Sequence, residues 1–246
     1  ALTNDEKRRV ISTAIEASGG RVPIYVGTGM ITTSDSVYMT KMAKELGADA
    51  VSVITPYFIA LSQKELIDHY KLIAESAGDM PVLLYNNPMR TGINISPETV
   101  VKLAEIENIV GMKDSSADLI QTMTYIDVTR GMDFSVLVGN DASIFAAIVS
   151  GGKGAVAATA NVAPAMIVGI YNAIKSGDIE KAKELQYKLL PIRKAFSLGT
   201  FPIVIKEAMN MMGLPAGPAR KPVQNLSAEK RQELMKVLIN AGLYHQ

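Results

Sequence analysis

The chain has 246 residues, of which 48% are hydrophobic and 20% charged, so it can bury the core of a large domain and is not globally disordered. Its 25 Lys and Arg residues balance 24 Asp and Glu residues, which argues against a dedicated binder of nucleic acid or anionic membranes. The absence of Cys excludes disulfides, thiol catalysis and Cys-ligated metal centres and fits a cytoplasmic location, and two His residues are too few for an ordinary catalytic zinc site.

Short apolar runs alternate with amphipathic stretches over the first 160 residues. The runs are rich in Val, Ile and Leu, as is typical of parallel strands covered on both faces. They predict six strands, at residues 22–27, 48–54, 80–85, 108–113, 134–139 and 154–159. The other stretches predict helices at 4–17, 34–46, 62–77, 96–105, 118–130 and 142–150, each with Ser, Asn or Asp at or beside its start, and Asn4 as the cap of the first.

The last third of the chain predicts helices only, at residues 163–175, 179–196, 201–212 and 227–241. Regular alternation of strands and helices before it favours an α/β fold, either a (β/α)8 barrel or a doubly wound sheet. Six strands are two fewer than a closed barrel needs. No Gly-x-Gly-x-x-Gly segment joins a strand to a helix, so a dinucleotide-binding fold has no support.

Functional groups of α/β folds lie where strands end, and Lys113 is the most informative of them. Apolar surroundings at a strand end favour the neutral amine of a lysine, which can attack a ketone to form an imine. A solvated lysine paired with Asp114 is the competing interpretation. The other polar residues at predicted strand ends are Thr28, Thr55, Tyr57, Tyr85, Asn86, Asn140 and Asp141.

Two further residues have both a functional and a structural interpretation. Tyr85 could move protons, or it could be a core tyrosine with an exposed hydroxyl. Arg90 suits the capture of a carboxylate, although an ordinary surface arginine is equally consistent with its loop. His69 has no second histidine at metal-ligand spacing and is interpreted as structural.

Several of these segments together resemble a known family. The sequences YNNPMRTG at 85–92 and GMKDSS at 111–116 are similar to the two signatures of the dihydrodipicolinate synthase / N-acetylneuraminate lyase family, and TPY at 55–57, GND at 139–141 and GGKG at 151–154 also match. The resemblance implies a (β/α)8 TIM barrel with a C-terminal helical domain. Residues 1–160 would then hold barrel strands three to eight, with the first two strands outside this chain, and residues 161–246 the last barrel helix and the helical domain.

The resemblance also implies a reaction. Lys113 would form a Schiff base with pyruvate, Tyr85 would transfer protons around it, and Arg90 would contact the carboxylate of a second substrate. Val156, through its backbone carbonyl, and Gly139 would complete the substrate site. No cofactor or metal is expected, and the partners would be small-molecule substrates and identical subunits, as a homotetramer or homodimer, without nucleic acid or membrane.

Within the family, Arg90 favours a lyase that condenses pyruvate with aspartate semialdehyde. Phe58 departs from the family pattern, because it occupies the place of a tyrosine that a neighbouring subunit lends to the proton relay. This leaves open a 2-keto-3-deoxy sugar-acid or 4-hydroxy-2-oxoglutarate aldolase, and also a non-catalytic protein on the same scaffold. The family's loop that binds the pyruvate carboxylate is expected to precede Ala1.

Overall fold

The computed structural model describes residues 2–244. The chain forms two compact units. The first comprises Ala1–Gly139 and Ser150–Lys153, and the second comprises Asn140–Val149 and Gly154–Gln246.

The first unit is a parallel sheet whose neighbouring strands follow one another along the chain. Each strand is joined to the next through at least one helix, the connection that parallel pairing requires. The strands are β1 (Tyr25–Gly27), β2 (Ala50–Ile54), β3 (Val82–Asn86), β4 (Ile109–Asp114) and β5 (Ser135–Val138). The helices are α1 (Asn4–Ser18), α2 (Thr33–Glu45), α3 (Gln63–Ala77), α4 (Pro88–Thr91), α5 (Pro97–Ala104) and α6 (Leu119–Val128).

Apolar side chains of these strands and helices form one core. Val51, Val53, Val82 and Leu84 are fully buried in β2 and β3. They pack in a cluster with buried residues of α2, α3 and α5. Burial of a side chain of this size contributes about 1.5–3 kcal/mol, so the core holds the sheet and its helices together.

The second unit is mainly helical. Its only described strand is β6 (Gly154–Ala155). Its α-helices are α7 (Ile144–Val149), α8 (Pro164–Lys175), α9 (Ile179–Ala195), α10 (Ile203–Met211) and α11 (Ala228–Asn240). Short 3₁₀ helices span Asp141–Ser143, Ala158–Asn161 and Phe196–Leu198.

The parallel α/β organisation predicted from the sequence is confirmed, with differences at the ends of elements. Strands begin later than predicted, because residues such as Val22 precede the paired segment and are exposed. The run 154–159 is a strand over two residues only, since the backbone N–H groups of Ala158 and Thr159 donate to the Asp141 carboxylate (3.3 and 2.7 Å) and the chain turns there into a 3₁₀ helix.

Helix starts show smaller differences. The cap of α1 is Thr3 rather than Asn4, because the Thr3 hydroxyl accepts the N–H of Glu6 in a capping box. The predicted helix 142–150 divides into a 3₁₀ turn and α7. Helix α4 was not predicted, since four residues are too few to show a helical period.

None of the helices between residues 2 and 244 combines the length and apolarity needed to cross a lipid bilayer. The same residues contain no group of three or more His, Asp or Glu side chains that could hold a metal ion.

His69 links two helices of the first unit and is buried, consistent with the structural interpretation. Its Nδ1 lies 2.8 Å from the Thr33 hydroxyl at the start of α2, while its Nε2 is buried without a partner. The ring also contacts Tyr70 edge-on, with centroids 5.4 Å apart. Burial lowers the pKa of His69 to about 4, because the imidazolium would lose its hydration.

The lowered pKa of His69 predicts a loss of stability in acid. The unfolded chain binds the proton near pH 6.5 and the folded chain only near pH 4, so the free energy of unfolding should fall as the pH decreases through this window, by up to about 3 kcal/mol. His69→Asn keeps a polar group near Thr33 and should remove this component. Urea unfolding of both proteins from pH 7.5 to 4.5 measures the difference, in which His245, outside the described residues, cancels.

If the free energies of unfolding of the two proteins change in parallel with pH over that range, the acid-dependent loss of stability does not come from His69.

Candidate active site

The register of β3 and β4 places Tyr85 beside Lys113. The two residues are direct partners in the parallel ladder, and the next pair is Asn86 with Asp114. The Lys113 Nζ lies 4.2 Å from the centroid of the Tyr85 ring, where the face of the ring attracts a cation. Two residues that are 28 positions apart in sequence thereby form one amine–phenol pair at the carboxyl end of the sheet.

The environment of Tyr85 makes its phenol more acidic. Burial is the largest influence and raises the pKa of Tyr85. The charge of Lys113 opposes it, and hydrogen bonds from Asn87, Ser115 and Lys113 act in the same direction as that charge. The net effect is a pKa for Tyr85 below the ordinary value of a tyrosine, so the phenolate is more accessible than in free tyrosine.

Asn87 and Ser115 were not among the candidate residues from the sequence. The Asn87 Nδ2 donates to the Tyr85 hydroxyl oxygen at 3.0 Å. Ser115 is two residues after Lys113, and its backbone N–H donates to the carbonyl of Asn86 at 2.8 Å. Both residues lie inside the quoted motifs, but only the pairing of β3 with β4 brings them to the same phenol.

Asp114 is a structural anchor rather than the ion-pair partner of Lys113. Its carboxylate is buried and accepts from the Asn86 side chain (3.0 Å), from the Ser116 N–H and hydroxyl (3.1 and 2.8 Å) and from the Thr122 hydroxyl (2.6 Å). No ion pair between Asp114 and Lys113 occurs in the described part of the chain. The four donors satisfy the buried charge and fix the loop after β4.

Gly139 provides the space that Lys113 and Ser115 occupy. A Cβ atom at this position would lie 1.9 Å from the Ser115 Oγ and 2.7 Å from the Lys113 Cε. The N–H of Gly139 donates to the Asp114 carbonyl at 2.7 Å, which holds the backbone close to these side chains. A larger residue would displace the amine or the hydroxyl.

Arg90 lies on α4, four residues after the end of β3, and is exposed. Its guanidinium has no hydrogen-bond or ion-pair partner among residues 2–244 and is free to meet an anion. Val156 belongs to the second unit, directly after β6, and is exposed.

Most of the remaining polar residues at strand ends have structural partners. Thr28 accepts a hydrogen bond from Thr40, and Thr55 donates to Thr91, all of them buried. In the second unit the Asn140 side chain caps the 3₁₀ turn, and Asp141 holds the loop after β6 as described above. Tyr57 is half-buried.

Comparison with known proteins identifies the family. Residues 1–241 match the model of the Dihydrodipicolinate synthetase family. The chain belongs to this family. It is 41% identical to the 4-hydroxy-tetrahydrodipicolinate synthase of Methanoculleus marisnigri over 241 residues, which are 98% of this chain and 82% of that relative.

Two solved structures of the dihydrodipicolinate synthetase family show the same fold. The dihydrodipicolinate synthase of Thermotoga maritima and that of Acinetobacter baumannii in complex with pyruvate each superpose with a TM-score of 0.94 at 36% identity, over 99% of this chain and 83% of theirs. The family predicted from the two motifs is therefore confirmed, and with it the prediction of a lyase of the dihydrodipicolinate synthase type.

The close approach at Gly139 predicts a costly substitution. In Gly139→Ala the added methyl group meets Ser115 and Lys113 below van der Waals distance, so the free energy of unfolding should decrease by about 1–3 kcal/mol. Gly27→Ala is the matched control, because a Cβ there meets nothing within 4 Å, and it should be neutral or stabilising by about 0.5 kcal/mol. Urea unfolding measures both, and equal stabilities would refute the crowding at Gly139.

Proposed function

We propose that this protein condenses pyruvate with aspartate semialdehyde through a Schiff base on Lys113, as a 4-hydroxy-tetrahydrodipicolinate synthase. The observation that carries the proposal is the position of the Lys113 amine, 4.2 Å from the centre of the Tyr85 ring, in a chain of this family. The name of its relatives and the pyruvate complex of the Acinetobacter baumannii enzyme support the same substrates.

The proposed reaction begins with the amine of Lys113. It attacks the pyruvate ketone, and loss of water gives an imine. The imine acidifies the pyruvate methyl group, which loses a proton to form an enamine. The enamine carbon then attacks the aldehyde carbon of the second substrate, and the aldehyde oxygen takes up a proton. The amino group of the second substrate then adds to the imine carbon and displaces the Lys113 amine, which closes the ring of the product and regenerates Lys113, so no metal or external cofactor is needed.

Tyr85 is the proposed acid and base for these proton transfers. Its hydroxyl is close enough to Lys113 to exchange protons around the imine, and its lowered pKa makes the phenolate available as a base. The Lys113 side chain carries one positive charge as ammonium or protonated imine, which stabilises that phenolate. The pair therefore supplies both the amine that forms the imine and the group that transfers protons.

Arg90 is the proposed ligand of the second substrate's carboxylate. Its unpartnered, exposed guanidinium can form a bidentate ion pair with an α-carboxylate. Gly139 would leave room for the pyruvate imine above Lys113. Val156 keeps the role that the family resemblance gives it, as a backbone carbonyl of the substrate site.

We further propose the family barrel as the frame of the site, with residues 1–160 as strands three to eight and residues 161–246 as the last barrel helix and a C-terminal helical domain. Identical subunits, as a homotetramer or homodimer, are the proposed assembly. Large apolar side chains that are exposed in the first unit support it, among them Phe58 (93% exposed), Met89 (81%) and Ile120 (78%).

One observation favours a sibling aldolase as the second candidate. Phe58 is almost fully exposed and has no hydroxyl with which to pass a proton. A 2-keto-3-deoxy sugar-acid aldolase or a 4-hydroxy-2-oxoglutarate aldolase would use the same Lys113 imine with a different aldehyde. The choice of aldehyde, rather than the imine step, separates the candidates.

An assay of the full-length protein with pyruvate and a panel of aldehydes tests the proposal. Pyruvate consumption should be fastest with aspartate semialdehyde. Faster turnover of glyoxylate or a sugar-derived aldehyde would assign the protein to a sibling aldolase. No turnover of any aldehyde, together with no binding of pyruvate by calorimetry, would favour a non-catalytic protein.

The Arg90→Ala variant tests whether Arg90 binds the second substrate. Loss of a hydrogen bond to a charged group costs about 1.5–3 kcal/mol, so kcat/KM for aspartate semialdehyde should decrease by roughly 10- to 150-fold while the imine with pyruvate still forms. Arg130→Ala is the matched control, because this arginine pairs with Asp127 at the surface. Unchanged turnover in Arg90→Ala would make Arg90 an ordinary surface residue.

A further inference from the structure

We propose that Asn87 is a positioning residue, because its side-chain amide directs the phenolic proton of Tyr85 away from the α4 loop and toward the β4 side of the site, which carries Lys113 and Ser115. This inference rests on the proposed function for its meaning in catalysis. Its structural basis is the contact of 3.0 Å between the Asn87 Nδ2 and the Tyr85 hydroxyl oxygen.

The side chain of Asn87 does not take the role that its place in the fold would give it. Asn87 is the N-terminal cap of α4, a position where an asparagine ordinarily accepts a backbone N–H from the first turn. Here the side chain makes no capping hydrogen bond and turns instead to Tyr85. The Asn87 amide thus binds the Tyr85 hydroxyl, and the first turn of α4 has no side-chain cap.

The chemistry of the amide fixes the direction of the phenolic proton. A side-chain NH₂ group donates and cannot accept, so the phenol oxygen must accept from Asn87. The proton of the Tyr85 hydroxyl then points to another acceptor. On the other strand the Ser115 hydroxyl can accept it, and Lys113 can accept it only as a neutral amine, since an ammonium can only donate.

Backbone contacts hold both neighbours of the phenol in place. The carbonyl of Asn87 accepts from the N–H groups of Arg90 (2.9 Å) and Thr91 (3.1 Å) and from the Thr91 hydroxyl (3.2 Å). On the other strand, the N–H of Ser115 is bound to the carbonyl of Asn86. A donor held in this way needs no reorganisation when charge develops on the phenol oxygen, which is the condition for electrostatic stabilisation in catalysis.

The contact has a consequence for each protonation state. When the phenol is neutral, the hydrogen bond from Asn87 leaves the Tyr85 proton pointing toward the imine, as a general acid requires. In the phenolate, the same N–H stabilises the negative charge, as a base requires. Removing the donor should therefore make Tyr85 harder to ionise and slow the proton-transfer steps, without removing the amine that binds pyruvate.

Ionisation of Tyr85 without substrate is the direct test. The near-ultraviolet absorbance of tyrosinate is titrated in the wild type and in Asn87→Leu, each compared with its Tyr85→Phe counterpart, so that the difference isolates Tyr85. The midpoint should move to higher pH in Asn87→Leu, and the pH profile of kcat should move with it. We expect kcat to fall roughly tenfold, a part of what acid–base catalysis contributes, with borohydride trapping of pyruvate retained.

Two further variants keep the test decisive. Asn87→Gln retains the amide and should recover part of the shift, whereas Asn87→Asp cannot donate and should move the midpoint further upward. Asn161→Leu, which removes an amide bound only to the Ala158 carbonyl, is the matched control and should leave the midpoint unchanged.

An unchanged Tyr85 midpoint in folded Asn87→Leu, or equal midpoints for Asn87→Asp and Asn87→Gln, would overturn the proposal. The titration contains no substrate, so it is independent of the proposed function. A protein that forms no imine with pyruvate would refute that function, while the titration would still decide whether Asn87 positions Tyr85.

Discussion

The pairing of Tyr85 with Lys113 across β3 and β4 is the interaction on which the rest of the site depends. Parallel strands in register place residues of one strand directly beside those of the next, so a phenol and an amine that are distant in sequence meet at the carboxyl end of the sheet. A shift of one residue in this register would turn both side chains away from each other. The geometry of the site therefore depends on the register of these two strands.

Buried polar contacts maintain that register next to the amine. The Asp114 carboxylate, one residue after Lys113, accepts hydrogen bonds from Asn86 on β3, from Ser116 on its own loop and from Thr122 on α6. A buried carboxylate with four donors is costly to disrupt, because each donor and the charge itself would lose their partners. This network connects a strand, a loop and a helix to the position of Lys113. Among residues 2–244, the amine has no ion-pair partner.

Much of the fold was predictable, because continuous apolar runs and amphipathic stretches report which segments are buried. The ends of elements were less so. The run 154–159 ends as a strand after two residues because of hydrogen bonds to Asp141, a residue far enough away that no local pattern signals the contact. The four residues of α4 are likewise below the length at which a helical period can be recognised.

The candidate site likewise contains residues that the sequence indicated and residues that it did not. Lys113, Tyr85 and Gly139 could be selected because they lie at the ends of apolar runs and within family motifs, and the structure brings these three together. Asn87 and Ser115 lie in the same motifs but gave no signal of a role. The contact of Ser115 with the phenol exists only after β3 and β4 pair, and that of Asn87 depends on the conformation of the loop after β3, so a sequence pattern could not distinguish them from other polar loop residues.

Reductive trapping with borohydride shows whether Lys113 is the nucleophile of this site. The protein is incubated with pyruvate and borohydride, digested, and its peptides are weighed, with Lys64→Arg as a control at an exposed lysine. We expect one reduced pyruvate adduct, on the peptide that contains Lys113, which is lost in Lys113→Arg and kept in Lys64→Arg. A stable adduct on another lysine, or none in a protein that turns over pyruvate, would contradict this expectation.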